Sequence, residues 1–236
     1  MTGGLDRETV RMRFGSDTGR SNQKARTRRA IVDACRELIR AGRDVTMPEV
    51  ARSGLVSEAT AYRYFPDLAS LLSEATVGMW PSPADALAPV AQSSDPIERV
   101  AFAAGVLLRG VLAYQGGVRA MISATIIRPE TAAFRPGIRF GLIDHAIAPL
   151  DDTLGTTDPD ALTQLKRDLA VVVSAEALFT LTDLCGLTPD DAIASAVRTA
   201  TTLTEAAVCG SPTATRRHRA GGRIPSPRTT DRGESA

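Results

Sequence analysis

The sequence predicts an all-α protein in which a small N-terminal unit of short helices precedes a larger helical domain. Hydrophobic residues make up 43% of the 236 residues but aromatic residues only 4%. A core of mainly aliphatic side chains suits closely packed helices better than sheets. Apolar residues also recur at helical spacing, and helix caps precede several of these runs.

Four segments follow from composition and periodicity. Residues 1–22 are rich in Gly, Ser, Thr and Arg and predict a disordered basic arm. Residues 23–66 predict the N-terminal unit, and residues 67–209 predict the larger domain. Residues 210–236 have no periodicity and predict a disordered basic tail.

The first predicted helix runs from about residue 27 to the stop at Gly42. Its buried face is expected to carry the apolar residues Ile31, Ala34, Cys35, Leu38 and Ile39. Its other face is expected to carry the basic residues Arg28, Arg29, Arg36 and Arg40. The helix is therefore amphipathic, with a cationic outer surface.

Three start signals follow within about twenty residues. Thr46-Met47-Pro48-Glu49 is a capping box, in which Thr46 accepts from the Glu49 amide and Glu49 reaches back to the cap. Ser57 is placed to cap a helix that Pro66 terminates, and Asp67 to cap the next one. The sequence therefore predicts two short helices, joined by a tight turn, and then a fourth helix.

Downstream, the Pro81-Ser82-Pro83 stretch predicts a break, and three later helices begin with a capping residue before proline: Asp95-Pro96, Asp158-Pro159 and Thr188-Pro189. The helices after Asp158 and Thr188 are predicted to be long, about 20 residues or more. Between residues 117 and 150 we expect two shorter helices, interrupted near Pro129 and near Pro136-Gly137.

Charge is distributed unevenly along the chain. Residues 1–65 carry 13 basic and 8 acidic side chains, a net charge of +5, whereas residues 66–208 have −8 and residues 209–236 have +4. Eight cations concentrate in one stretch: Arg20, Lys24, Arg26, Arg28, Arg29, Arg36, Arg40 and Arg43. Such a cluster is typical of a surface that binds a polyanion.

Other classes of protein lack support in the sequence. Cys35, Cys185 and Cys209 have neither metal-ligand spacing nor the even count of a disulfide framework, which predicts buried or incidental thiols in a reducing cytoplasm. The apolar run at residues 169–181 is interrupted by Glu176 and is too short to cross a membrane. Without a phosphate-binding loop or a nucleophile motif, we expect no enzyme, no cofactor and no metal.

Two short helices joined by a tight turn form a helix-turn-helix, whose second helix fits the major groove of DNA. Here that helix is residues 57–65. At this spacing Val56, Ala61, Phe65 and part of Tyr62 face the core, so the remaining side chains point outward. Hydroxyl groups hold the phosphate backbone, and an arginine can read guanine.

Residues 27–72 resemble the DNA-binding domain of tetracycline-repressor-type (TetR) regulators. The motif is Val45-Thr46, Val50-Ala51, Val56-Ser57, Thr60-Ala61-Tyr62-Arg63-Tyr64-Phe65-Pro66 and Leu71-Leu72. The resemblance implies a homodimeric repressor, a double-stranded operator DNA with two half-sites, and release by a small molecule. This chain departs from the family at Leu55, where Gly is usual, and at Leu68, where a phosphate-binding Lys is usual.

Carried over residue by residue, the resemblance implies that Thr46, Tyr62 and Tyr64 hold phosphates. It also implies that Ser57, Glu58, Thr60 and Arg63 lie nearest the base edges. Lys24, Arg26 and Arg28 would add non-specific attraction or enter the minor groove. The alternative for the two tyrosines is that they pack the domain, and for the arginines that they form a solvated face.

The larger domain is expected to provide the dimer interface and an effector pocket. The predicted dimer residues are Leu165, Leu169, Val172, Val173, Phe179, Ala196, Ala200 and Leu203; the alternative is that they form the core of one chain. The candidate pocket residues are Trp80, Phe102, Tyr114, Met121, Phe134, Phe140 and His145. Because these are mostly apolar, a mostly apolar ligand is expected.

The rival interpretation is a helical dimer that binds DNA only architecturally, without an effector. A preference for one pseudo-palindromic sequence, weakened by a small molecule, would separate the two. In either case we expect a cytoplasmic protein without membrane contact.

Overall fold

The computed structural model describes the backbone of residues 7–210 and the side chains from residue 19 to residue 210. Within this range the chain is all-α and has no strand, which confirms the predicted fold class. Its α-helices are α1 (Arg7–Arg40), α2 (Met47–Ser53), α3 (Glu58–Tyr64), α4 (Leu68–Ala75), α5 (Pro83–Ala86), α6 (Pro96–Ala113), α7 (Gln115–Ile127), α8 (Ile138–Ile147), α9 (Leu154–Thr157), α10 (Pro159–Val172), α11 (Ala175–Phe179) and α12 (Pro189–Val208). The 3-10 turns are Ala88–Val90, Pro129–Phe134 and Ala148–Leu150, and Thr180–Leu184 is a π-helical turn.

The first helix is longer than predicted. Helix α1 begins at Arg7, so residues 7–22 are helical backbone where a disordered arm was expected. No proline interrupts the stretch from Arg7 to Arg40, and extending an existing helix costs far less than nucleating one. The rest of the predicted arm, residues 1–6, and the predicted tail from residue 211 lie outside the described residues.

Helices α1 to α4 share one apolar core. Ile31, Cys35, Leu38 and Ile39 of α1 are buried there, as the periodicity predicts. The core also takes Ala69, Leu71, Leu72 and Ala75 of α4. Helix α4 lies beyond the predicted boundary at residue 66, yet its apolar face packs on α1 within the N-terminal unit.

The predicted caps of the short helices are present. The Thr46 hydroxyl accepts from the Glu49 amide at 3.3 Å, Ser57 from Thr60 at 3.2 Å, and Asp67 from Ser70 at 2.7 Å. The return half of the capping box differs from the prediction. The Glu49 carboxylate pairs instead with Arg52, one turn along α2, and with Arg43 at 3.3 Å.

The turn between α2 and α3 places a leucine in a conformation that favours glycine. Leu55 has a φ of 53°, whereas Gly54 beside it has a φ of −81°. The Leu55 side chain is 93% exposed and gains nothing from packing. The backbone cost of positive φ at a residue with a Cβ atom is therefore not offset by side-chain contacts.

The second core is built around α6, which packs against α8 and α12, while α10 packs against α8 and α12. The caps Asp95, Asp158 and Thr188 accept from the amides of Ile97, Ala161 and Asp191, as predicted. Helix α12 has the predicted length of 20 residues. Helix α10 has only 14, because Ser174 takes an extended conformation and caps α11 instead.

The predicted dimer residues lie inside this core. Leu165, Leu169, Val173, Phe179, Ala196 and Ala200 are all buried within the single chain. Val172 and Leu203 are half-buried and pack against them. Six of the eight predicted dimer residues therefore lie in the core of a single chain, the alternative interpretation, because the apolar faces of α10 and α12 cover α6 and α8.

A buried arginine joins distant parts of the second core. The Arg99 guanidinium donates to the carbonyl oxygens of His145 at 2.7 Å, Val90 at 2.9 Å and Ala146 at 3.0 Å. Carbonyls satisfy this cation without a carboxylate partner among the described residues. The contacts tie the start of α6 to the C-terminal end of α8.

Helix α7 connects the two cores. Met121 is buried with the N-terminal residues, while Val118 and Ile122 pack against the second core. A Cβ atom on Gly116 would overlap the carbonyl oxygen of Arg43, and one on Gly117 would press on the Ile39 side chain at 2.8 Å. Two glycines therefore permit the close approach of α7 to α1.

Replacing Leu55 with glycine should raise the free energy of unfolding by about 0.5–1 kcal/mol, because glycine adopts positive φ without the steric cost of a Cβ atom. The midpoint of urea unfolding measures the change. Leu55→Ala is the matched control, because it removes the exposed side chain but keeps Cβ, and it should leave the midpoint nearly unchanged. An equal gain in both variants would trace the cost to side-chain exposure instead.

Candidate nucleic-acid interface and ligand cavity

Helix α3 presents one polar face to solvent. Ser57, Glu58 and Arg63 are exposed at its surface, and Tyr62 is 48% exposed. Ala61 and Phe65 are buried on the opposite side, as the spacing predicts. The segment is therefore a short helix with a free outer face.

The two tyrosines of α3 differ from expectation in which one is covered. Tyr64 is half-buried and packs against the N-terminal core, whereas Tyr62 lies along a groove that Arg119 and Ile127 of α7 also line. The prediction that Tyr62 contributes to the core was wrong. Tyr62 and Tyr64 lie two positions apart, about 160° around the axis and on either side of the buried Ala61 and Phe65, so a small rotation of α3 decides which ring is covered.

The small hydroxyl residues of α2 and α3 cap the helix N-termini, and some of them are also exposed. Ser57 donates to the Thr60 hydroxyl at 2.9 Å while capping α3, and Thr46 caps α2. Ser57 and Thr46 remain exposed, and Thr60 is half-buried. These side chains sit at the N-terminal ends of α2 and α3, where the helix dipole favours an anion.

The basic residues of α1 divide into two groups. Lys24, Arg26, Arg29 and Arg40 are exposed. Arg36 instead donates to the carbonyl oxygen of Ala75 at 2.9 Å and so joins α1 to the end of α4. The exposed group gives α1 a cationic surface.

Arg28, like Arg36, connects α1 to neighbouring helices. Its Nε donates to a Glu74 carboxylate oxygen at 3.1 Å, and its Nη1 donates to the Tyr64 carbonyl oxygen at 3.2 Å. The guanidinium also lies 4.3 Å from the centre of the Phe65 ring. Arg28 therefore holds α1, α3 and α4 together, a role that its place in the basic cluster does not predict.

A cavity of about 340 Å³ lies where the two cores meet. Ile39 of α1 and Met79 and Trp80, which follow α4, form one side of its wall. Leu107 and Val111 of α6 and Val118 and Met121 of α7 form another. The volume is in the range of small-molecule sites.

Four of the seven predicted pocket residues line this cavity: Trp80, Tyr114, Met121 and Phe140. The Trp80 and Tyr114 rings pack edge to face, with centroids 5.7 Å apart. Phe102 packs against the second core, Phe134 is 40% exposed and His145 is exposed. None of these last three is among the residues that line the cavity.

One end of the cavity is polar, which sequence reasoning missed. Arg135 and Arg139 both pair with the Glu176 carboxylate, at 2.6 and 3.2 Å. The available signals were Glu176, which interrupts an apolar run, and the two arginines that flank the Pro136-Gly137 break. Neither signal says that these side chains meet, because they lie 37 or more residues apart.

Two further features lie near these sites. Arg119 of α7 donates to both carboxylate oxygens of Asp183 at 2.6 and 2.9 Å, and these bonds lower the pKa of Asp183. Burial raises the pKa of the Cys35 thiol to about 12, so Cys35 stays protonated, while Cys185 and Cys209 are exposed.

Within the described part of the chain, no cluster of three or more His, Cys, Asp or Glu side chains is arranged to hold a metal ion. No helix there combines the length and apolar character that a bilayer crossing requires.

Replacing Arg28 with alanine should lower the free energy of unfolding by about 1–2 kcal/mol, since it removes hydrogen bonds to Glu74 and Tyr64 and the contact with the Phe65 ring. Urea unfolding followed by circular dichroism measures the loss. Arg29→Ala, at an exposed neighbouring position, should change stability by less than about 0.5 kcal/mol. Equal stability of both variants would show that the Arg28 contacts contribute nothing.

The sequence matches no protein-family model and no curated protein.

Proposed function

We propose that the protein is a sequence-specific DNA-binding transcriptional regulator of the tetracycline-repressor type, a homodimeric repressor that a small, mostly apolar ligand releases from its operator. The main support for this proposal is the outer face of α3, where Ser57, Glu58 and Arg63 are exposed on a short, capped helix. A helix of this kind fits the major groove of DNA. The preceding helix α2 and the turn at Leu55 complete a helix-turn-helix in this proposal.

The surroundings of α3 support a nucleic-acid partner. Arg63 is exposed, with its guanidinium near the Tyr64 ring, and can reach a guanine edge. Thr46 and Ser57 lie at helix N-termini, where backbone phosphates are favourably bound. Lys24, Arg26 and Arg29 add exposed positive charge along α1.

The position of the cavity supports control by a ligand. Its wall combines Ile39 of α1 with residues of α6, α7 and α8, so one bound molecule would contact both cores. Helix α7 lines the cavity and packs against α4. A ligand that changes the position of α7 would therefore change the orientation of the helices that read DNA, if it binds the two orientations with different affinity.

Selection of bound duplexes from a random pool should enrich one pseudo-palindromic sequence, with half-sites about 34 Å apart or a multiple of that spacing. Replacing Arg63 with alanine should weaken discrimination at one base pair by about 1–3 kcal/mol, because a guanine contact is lost. Binding assays with the selected and a scrambled duplex measure this difference.

Lys24→Ala is the contrasting variant. It should weaken binding to both duplexes alike. It should also reduce the slope of log affinity against log salt concentration by about one, as loss of a phosphate contact does. Unchanged discrimination in Arg63→Ala would mean that α3 is not the reading helix. A pool that enriches no sequence would favour an architectural DNA-binding protein.

The proposed dimer must use surfaces other than the buried faces of α10 and α12. Val171 of α10 is 71% exposed and Val208 of α12 is 47% exposed, on two helices that pack together. Exposed aliphatic side chains on adjoining helices are suited to pairing with a second copy.

Sedimentation velocity at micromolar concentration should give a dimer, and Val171→Asp should shift it to monomer, because a charge would be buried at the interface. Ile126→Asp is the matched control, since Ile126 of α7 is similarly exposed at 64%. A monomeric wild type would contradict the dimer. Dissociation by Ile126→Asp alone would place the interface on α7.

A further inference from the structure

The cavity has an apolar body and a single charged end. Of its lining residues, only Arg135, Arg139 and Glu176 carry charge. Arginine stays protonated at any physiological pH, so two cations share one carboxylate. This end of the cavity therefore has an excess positive charge.

The two arginines are held differently. Arg135 donates to the Thr125 hydroxyl at 2.6 Å, in addition to Glu176, and so is fixed to α7. Arg139 has one hydrogen bond to a described residue, the 3.2 Å contact with Glu176. Its remaining N–H groups are free to bind another acceptor, and about a quarter of its side chain is exposed.

We propose that the cavity binds an amphiphilic monocarboxylic acid, with its carboxylate at Arg139 and Arg135 and its apolar body against Trp80, Val111 and Met121. This inference deepens the proposed function by naming the chemical class of the effector. As a regulatory statement it rests on that function, but the binding itself does not require DNA.

The charge pattern of the cavity favours a monocarboxylic acid over neutral, cationic and doubly negative ligands. A neutral apolar molecule would fill the body of the cavity but leave the excess positive charge without a partner. A cationic amphiphile would be repelled, because Glu176 is already shared by two arginines. A second negative charge on the ligand would have to enter the apolar body, where burying it without a partner is costly.

The geometry predicts opposite effects at two positions. The ligand carboxylate competes with Glu176 for the same guanidinium groups. Glu176→Gln removes the internal competitor and should tighten acid binding, whereas Arg139→Gln removes donors and should weaken it. If these side chains had a purely structural role, the two substitutions would not change acid binding in opposite directions.

The probes are decanoate and 4-phenylbutanoate, each paired with its alcohol of the same skeleton, and decylamine as the cationic counterpart. Fluorescence of Trp80, the single tryptophan, reports occupancy because its ring lines the cavity, and calorimetry without DNA gives the affinity. Arg167→Gln, at an exposed position on α10, is the matched control. Circular dichroism verifies that each variant is folded.

At least one acid should bind about ten-fold or more tightly than its alcohol and than decylamine. Arg139→Gln should remove that advantage, Glu176→Gln should increase it, and Arg167→Gln should leave it unchanged. The inference is wrong if neither acid binds below about 1 mM, if the alcohols bind as well, or if Arg139→Gln has no effect.

A parallel assay with the selected DNA separates this inference from the proposed function. Acid binding without any DNA preference would support the cavity assignment and contradict the regulator. DNA preference without acid binding would do the reverse. If both occur, the acid should also weaken binding to the selected duplex.

Discussion

The close packing of α7 against α1 is the constraint on which the rest of the arrangement depends. Gly116 lies against the Arg43 carbonyl oxygen and Gly117 against Ile39, with no room for a Cβ atom at Gly116. This contact sets the separation of the two cores and hence the size of the cavity between them. Because the same helix also packs on α4, the cavity wall and the N-terminal unit share a rigid element.

The local features of the fold could be predicted from the sequence. The helix starts at Thr46, Ser57, Asp67, Asp95, Asp158 and Thr188 are all present, since a cap depends only on residues two or three positions away. The buried face of α1 follows from its periodicity in the same way. The all-α class is the sum of such short-range signals.

Contacts between distant residues could not be predicted. Periodicity indicates that α10 and α12 have apolar faces, but not that α6 and α8 cover them, which is why Leu169 and Ala200 belong to the core of the chain. It also cannot show that Arg28 meets Glu74, or that Arg135 and Arg139 meet Glu176. The aromatic residues of the cavity could therefore be predicted from the sequence, whereas its charged end could not.

The two ends of α8 are held differently, because carbonyl oxygens at its C-terminal end bind the buried Arg99 guanidinium. At the C-terminal end, the His145 and Ala146 carbonyl oxygens accept hydrogen bonds from a buried cation that pairs with no carboxylate among the described residues. At the N-terminal end, Arg139 makes one partly exposed ion pair, with Glu176. The C-terminal end of α8 is thus held by more hydrogen bonds than its N-terminal end, so a change at Arg139 would disturb the N-terminal end first.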